Sequence, residues 1–217
     1  GSEMCIRDRY SIQEVNNGHV FVAQDGIYYF DGYNSFKISD KINSTFNGLN
    51  SLKLAIASSM FQRKKNLYWL GVTSSTSLYN NFVLTWNSYL NAWSTYTGMS
   101  ASSMAIFMVD GTEEKPYFAD YTGYAYRGDI GLDDYPTNTR TAISAVYATN
   151  WKSYDDICDT KGIPHLYLVH KNESSTDLTL SYSYDFYNGD QYSSTFSLYT
   201  TQTVTALTTR RDLTGRR

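Results

Sequence analysis

The chain has 217 residues, 18 basic and 21 acidic side chains for a net charge of −3, and 21 Tyr, 10 Phe and 4 Trp beside only 3 Pro. That balance offers no basic field for a phosphate backbone, and no apolar run approaches the roughly 20 residues a membrane-spanning helix requires. Many aromatics and hydroxyls with few prolines, over a length sufficient for a real core, instead fit half-buried strands.

Residues 1–10 come first and match nothing after them. Residues 4–9, "MCIRDR", show neither the period of a strand nor the stripe of a helix. They resemble the translation of a transposon-end adaptor used in preparing sequencing libraries, whose frame reads Met-Cys-Ile-Arg-Asp. The resemblance implies that residues 1–10 are an adaptor scar or a disordered tail outside the fold. Cys5 then leaves the cysteine count, and Cys158 alone makes no intrachain disulfide.

From residue 11 the chain reads as short apolar-polar alternations punctuated by Gly, Asn and Asp, the pattern of consecutive antiparallel strands. Residues 19–23 ("HVFVA"), 27–30 ("IYYF") and 35–39 ("SFKIS") are three predicted strands joined by tight turns. A short helical piece follows, capped by Ser39 or Asp40 and ended by Gly48. Strands are expected again at 52–60 ("LKLAIASSM"), 66–75 ("NLYWLGVTSS"), 81–88 ("NFVLTWNS") and 92–97 ("AWSTYT"). Residues 91–128 look like a further small meander, with "SMAIFMVDG", "KPYFADY" and "GYAYRGD" as strands.

Three stretches share one grammar: an aromatic strand, then Asp31, Asn87 or Asp120, then a turn, then a second aromatic strand. Their separations of 56 and 33 residues bracket the blade period of a β-propeller, which is roughly 40 to 50 residues. Residues 11–139 are therefore expected to form propeller-like blades. Residues 140–217 carry longer predicted strands, among them "RTAISAVYATNW", "PHLYLVHKN", "DLTLSYSYDFYNGD" and "YSSTFSLYT". In the third of these, Leu178, Leu180, Tyr182, Tyr184 and Phe186 share one face and Thr179, Ser181, Ser183 and Asp185 the other. The expected fold is all-β: a partial propeller of about three degenerate antiparallel blades followed by a longer-stranded antiparallel sheet, with a β-sandwich as the alternative. The basic end, "TTRRDLTGRR", reads as a strand segment cut mid-element, so the sheet region is expected to be truncated there.

Sites for chemistry are sparse. Asp129, Asp133 and Asp134, with Asn138, offer oxygen ligands for calcium but lack the spacing and closing Glu of a calcium loop; turn-forming Asp is the plainer reading. Asp155, Asp156 and Asp159 cluster without the defined separation a glycosidase pair needs. His165 and His170 lie five apart on a predicted strand and point to opposite faces, and Cys158 has no neighbouring His. Neither a nucleophile elbow nor a phosphate-cradling loop is present, so no enzyme activity, cofactor or metal is expected. Tyr28, Tyr33, Tyr121, Tyr124 and Tyr126, with Tyr29, are the candidate interaction surface, as half-buried strand residues, a sugar-stacking platform or a protein interface.

The run "EVNNGHVFVAQDGIYYFDGYNSFKISDKI" resembles blade segments of virion proteins of tailed bacteriophages, and "NLYWLGV", "NFVLTWNSYLNAWSTYTGM" and "KPYFADYTGYAYRGDIGLDD" extend the likeness. The resemblance covers residues 11 to 215 and is strongest to propeller proteins of the head-to-tail region, among them the packaged-DNA stabilisation family of short-tailed phages. It implies a structural component, made in the host cytoplasm and resident in the virion, that assembles with other virion proteins as a homo- or hetero-oligomer. Neither sequence-specific nucleic acid nor membrane is an implied partner; a carbohydrate-binding propeller or sandwich is the rival function. A closed propeller needs at least about four blades, so a chain with about three implies a fragment.

Overall fold

The computed structural model describes residues 10–109, 111, 113–130, 133–134, 141–151, 166–169, 176–183, 192–198 and 204–207. The chain divides into two units, Gly1–Ile143 and Ser144–Arg217. The protein is all-β and its described sheets are antiparallel.

The first sheet runs in chain order through β1 (Gln13–Val15), β2 (Gly18–Ala23), β3 (Gly26–Phe30) and β4 (Ser35–Lys37). Strand β1 was not expected, because three residues are too few to show a period. Asn16 turns the chain into β2 with φ at 55°, a left-handed conformation that Asn tolerates better than most residues. In β2 the alternation is clean: Val20 and Val22 are buried while His19 is exposed, as befits a sheet with one covered face.

A 3₁₀ turn (Asp40–Ile42), helix α1 (Asn43–Asn47) and a second 3₁₀ stretch (Ser51–Ile56) connect this sheet to the next. Gly48 follows the last helical residue as expected. Ser39 does not cap with its side chain. Its buried hydroxyl accepts the Ile27 amide at 3.0 Å, tying the connector to β3. The strand expected over 52–60 is corrected: it begins only at Ser58, because the Asn50 side chain accepts the Leu52 amide at 3.2 Å and starts a 3₁₀ turn there.

The second sheet contains β5 (Ser58–Gln62), β6 (Leu67–Val72), β7 (Phe82–Asn87) and β8 (Ala92–Thr97), again in chain order. Strands β5, β6 and β7 are buried almost continuously rather than alternately, while β8 at the sheet's edge is mostly exposed. The reason is that both faces are covered. Phe61, Tyr68, Leu70, Val72, Leu84 and Trp86 pack on one side with Val15, Val20, Val22 and Ile27 of the first sheet and with Phe46, Leu49 and Leu54 of the connector. Met60, Trp69 and Val83 pack on the other with Ala101, Met104, Ile106 and Phe118. Burying each large aliphatic side chain contributes about 1.5–3 kcal/mol before the ordering entropy is set against it.

The third sheet holds β9 (Ser103–Val109), β10 (Glu113–Ala119) and β11 (Ala125–Arg127). The meander expected over 91–128 is corrected accordingly: residues 92–97 close the second sheet, and the third begins at Ser103. The three sheets stack face to face in chain order, with the second in the middle. Their first strands lie side by side: β1 neighbours β5, where Gln13 Nε2 donates to Ser59 O at 3.2 Å, and β5 neighbours β9. An open groove of about 280 Å³ runs along these strands, lined by Gln13, Glu14, Ser59, Arg63 and Ile106 among others.

Beyond the third sheet, β12 (Asp133–Asp134) pairs with β13 (Thr141–Ala142). The strand expected over "RTAISAVYATNW" is corrected: beyond Ala142, residues 143–151 carry no regular structure. In the second unit β14 (Leu166–Val169) pairs with β17 (Val204–Leu207), and β15 (Thr176–Tyr182) with β16 (Tyr192–Leu198). Along β15, Leu178, Leu180 and Tyr182 are half-buried and Asp177, Thr179 and Ser181 exposed, as the alternation predicts. Thr179 and Thr195 meet across the hairpin through their hydroxyls at 2.9 Å. Tyr184, Asp185 and Phe186 lie outside the described residues.

Candidate functional site

The repeated Asx positions are the local chemistry of the candidate surface. Each ends a strand and holds the following loop with its side-chain oxygen. Asp31 Oδ1 accepts the amides of Tyr33 at 2.8 Å and Asn34 at 2.7 Å. Asn87 Oδ1 accepts those of Tyr89 at 3.1 Å and Leu90 at 2.9 Å. Asp120 Oδ1 accepts those of Thr122 at 2.8 Å and Tyr124 at 2.9 Å, while its Oδ2 takes the Thr122 hydroxyl at 2.6 Å and the Tyr126 hydroxyl at 3.3 Å. In each loop one residue has positive φ, Gly32, Asn91 or Gly123, which is the conformation Gly and Asn adopt most readily.

The three loops are not equivalent in the stack. Those after Asp31 and Asn87 join the third and fourth strands of their sheets, whereas the loop after Asp120 joins the second and third. Contacts agree: the Asp120 loop lies against the β6–β7 loop, where the Tyr79 and Tyr121 rings are 4.6 Å apart and the Asn80 amide donates to Tyr121 Oη at 3.3 Å. The β5–β6 turn lies instead beside β10 and the end of β11, through Lys64 N to Glu114 Oε2 at 2.9 Å and the Lys65–Asp129 ion pair. An offset of one hairpin is why the separations of 56 and 33 residues were unequal.

This placement divides the predicted tyrosines. Tyr121, Tyr124 and Tyr126 come together with the unpredicted Tyr79: Tyr124 and Tyr126 have ring centroids 6.5 Å apart, and Tyr126 stacks on Phe118 at 5.3 Å. Tyr28 and Tyr33 belong to the first sheet, on the far side of the second. Tyr28 stacks on Phe21 at 5.7 Å with its hydroxyl donating to Asp25 at 2.6 Å. Tyr33 stands at a loop tip, 93% exposed, and Tyr89 in the matching loop of the second sheet is 84% exposed. Tyr29 faces the core against Trp86. Tyr89 was legible in the sequence: it follows Asn87 by two residues as Tyr33 follows Asp31. Tyr79 carried no such signal.

The loop carboxylates are held ionised by their bonds. Asp31 is shifted below the ordinary carboxylate range chiefly by the Asn34 and Tyr33 amides, and Asp120 by the Thr122 hydroxyl first, against an opposing desolvation. Asp25 moves the same way through the Tyr28 hydroxyl, whose own ionisation is raised by that bond. A depressed carboxylate stabilises the fold above its unfolded value, and the contribution fades as pH falls through the folded value. We expect the amide resonances of Tyr33, Asn34, Thr122 and Tyr124 to shift as pH falls below about 4. Those of Tyr89 and Leu90, held by the non-titrating Asn87, should stay put. Parallel movement of all three loops in a pH series of amide spectra would show that global unfolding, not loop chemistry, governs the change.

The remaining candidates do not converge. The Asp129 carboxylate, at a positive-φ position, is engaged by the Lys65 ammonium. Asp133 and Asp134 lie on β12, and their side chains, like Asn138, are outside the described residues. So are Cys5, Asp155, Asp156, Cys158, Asp159, His165, His170 and the basic end. Among the described residues no group of three or more His, Cys, Asp or Glu side chains is placed to hold a metal ion, and no helix is long and apolar enough to cross a membrane. No protein-family model matches the chain, and no curated protein matches it.

Proposed function

We propose that this chain is a structural component of a tailed-bacteriophage virion, a segment of a head-to-tail or tail propeller that acts through protein–protein assembly rather than catalysis. The observation that carries the reading is the stack: three successive antiparallel sheets, the middle one covered on both faces, with β1, β5 and β9 side by side. Inner strands converging while each meander runs outward is how propeller blades are arranged. The phage virion likeness of residues 11–215 supplies the biological setting, in which the partners are other virion proteins and the location is the particle.

Long-read sequencing of the source DNA on both sides of the reading frame tests this. Portal, head or tail genes alongside, with the adaptor-like codons of residues 4–8 absent, are the expected result. A neighbourhood of transport or metabolic genes overturns it.

One observation favours a second reading, carbohydrate binding: Tyr79, Tyr121 and Tyr124 form an exposed aromatic cluster, and aromatic rings stack well on sugar faces. Glycan-array binding that is lost in Tyr79→Ala and Tyr124→Ala would move the assignment to this reading. An array without signal removes it.

A further inference from the structure

Tyr79 and Tyr121 are 42 positions apart in the sequence, yet their rings lie 4.6 Å apart at 42° to one another. At that separation ring carbons are in van der Waals contact. The pair bridges two sheets, because Tyr79 stands in the loop between β6 and β7 and Tyr121 in the loop between β10 and β11. The neighbouring pair, Tyr124 and Tyr126, is 6.5 Å apart and lies within one hairpin.

Both loops hold their rings in place from the backbone. Ser77 Oγ accepts the Tyr79 amide at 3.2 Å and donates to the Tyr79 carbonyl at 2.7 Å. The next residue, Asn80, is anchored by its buried side chain to Ile56, Thr73 and Ala101, and its amide donates to Tyr121 Oη at 3.3 Å. Asp120 fixes the other loop through the Thr122 and Tyr124 amides. Two phenols are thus held at contact before any reaction, with Tyr79 56% and Tyr121 39% exposed.

We propose that Tyr79 and Tyr121 form an oxidative cross-linking site, at which a one-electron oxidant of the haem-peroxidase class joins the two rings as dityrosine. Each phenol gives up one electron to the oxidant and one proton to water, leaving a phenoxyl radical whose unpaired electron is shared with the ortho carbons. The radicals couple through one Cε atom of each ring. The hydrogens on those two carbons then move to the phenol oxygens, and aromaticity is restored. In sum, two tyrosines and one hydrogen peroxide give one dityrosine and two water molecules. The new bond ties the middle sheet to the third and restricts the unfolded chain as a disulfide does. The site stands on ring geometry and is independent of the assembly reading.

Treatment of the full chain at about micromolar concentration with a haem peroxidase and hydrogen peroxide tests it, read by dityrosine fluorescence and by mass. At contact, the effective concentration of one ring at the other is about millimolar or higher, so coupling within a chain should exceed coupling between chains by about a thousandfold. The expected product is a monomer lighter by two hydrogens. Digested with trypsin and a Glu-specific protease, it should yield residues 66–113 and 115–127 joined through Tyr79 and Tyr121. Tyr79→Phe and Tyr121→Phe each keep a ring that cannot form a phenoxyl radical, and each should lower the yield of the joined peptides at least about tenfold. Tyr33→Phe removes a far more exposed phenol and should leave that yield unchanged. Dityrosine found only in covalent dimers overturns the site, as does a treated monomer in which these two peptides are not joined. Joined peptides that persist undiminished in both Phe variants overturn it too.

Discussion

Asn80→Leu is expected to lower the stability of the first unit by about 3–5 kcal/mol, the largest loss among single polar substitutions. Asn80 is fully buried, and its side chain links three stretches of chain that no strand ladder joins. Its Nδ2 donates to Ile56 O at 2.9 Å and to Ala101 O at 2.8 Å, and its Oδ1 accepts the Thr73 hydroxyl at 2.9 Å. Ile56 ends the 3₁₀ connector, Thr73 follows β6, and Ala101 leads into β9. Leucine matches the volume but leaves the Ala101 carbonyl and the Thr73 hydroxyl buried without the amide, at about 1–3 kcal/mol each and not fully additive, and removes the part-buried bond to the Ile56 carbonyl. Urea unfolding followed by near-UV circular dichroism measures the effect. A loss below about 1 kcal/mol would mean water replaces the amide, and the linking role would fail.

Trp69→Ala should cost about 3–5 kcal/mol, whereas Trp69→Phe should cost less than half as much. The indole fills the space between the second and third sheets, 1% exposed, stacked on Tyr96 at 5.1 Å with the rings 4° from parallel. Alanine leaves a cavity where the indole stood, against the ring of Tyr96. Phenylalanine keeps most of the ring and removes a liability, since the buried Nε1–H of Trp69 has no hydrogen-bond partner. The same unfolding measurement applied to both variants decides the point. Equal losses would show that the indole N–H is satisfied in solution, by a water molecule between the sheets.

Sequence reading located strands well where one face is covered. In β2 and β15 the period of two is a direct image of alternate burial: the strand expected over residues 19–23 is present, and Leu178 and Thr179 fell on the faces expected. It failed at residues 52–56, where Leu52, Leu54 and Ile56 imitate a strand while the Asn50 side chain starts a 3₁₀ turn. It failed again at residues 143–150, whose propensity is that of a strand but which have no described partner to pair with. Propensity describes a residue's fit to a pleated surface and cannot supply the neighbouring strand.

By itself, the sequence determined the all-β class and the Asx-closed loops after Asp31, Asn87 and Asp120. These depend on alternation and on hydrogen bonds spanning two to four residues. Only the tertiary structure decided that the middle sheet is covered on both faces, that the third loop is offset by one hairpin, and that Tyr79 joins Tyr121 while Tyr28 and Tyr33 stand apart. Those outcomes rest on contacts between residues 21 to 72 positions apart, such as Asn80 with Ala101 and Asn16 with Ser88. Contacts at such separations depend on how sheets stack, and local periodicity carries no record of stacking order.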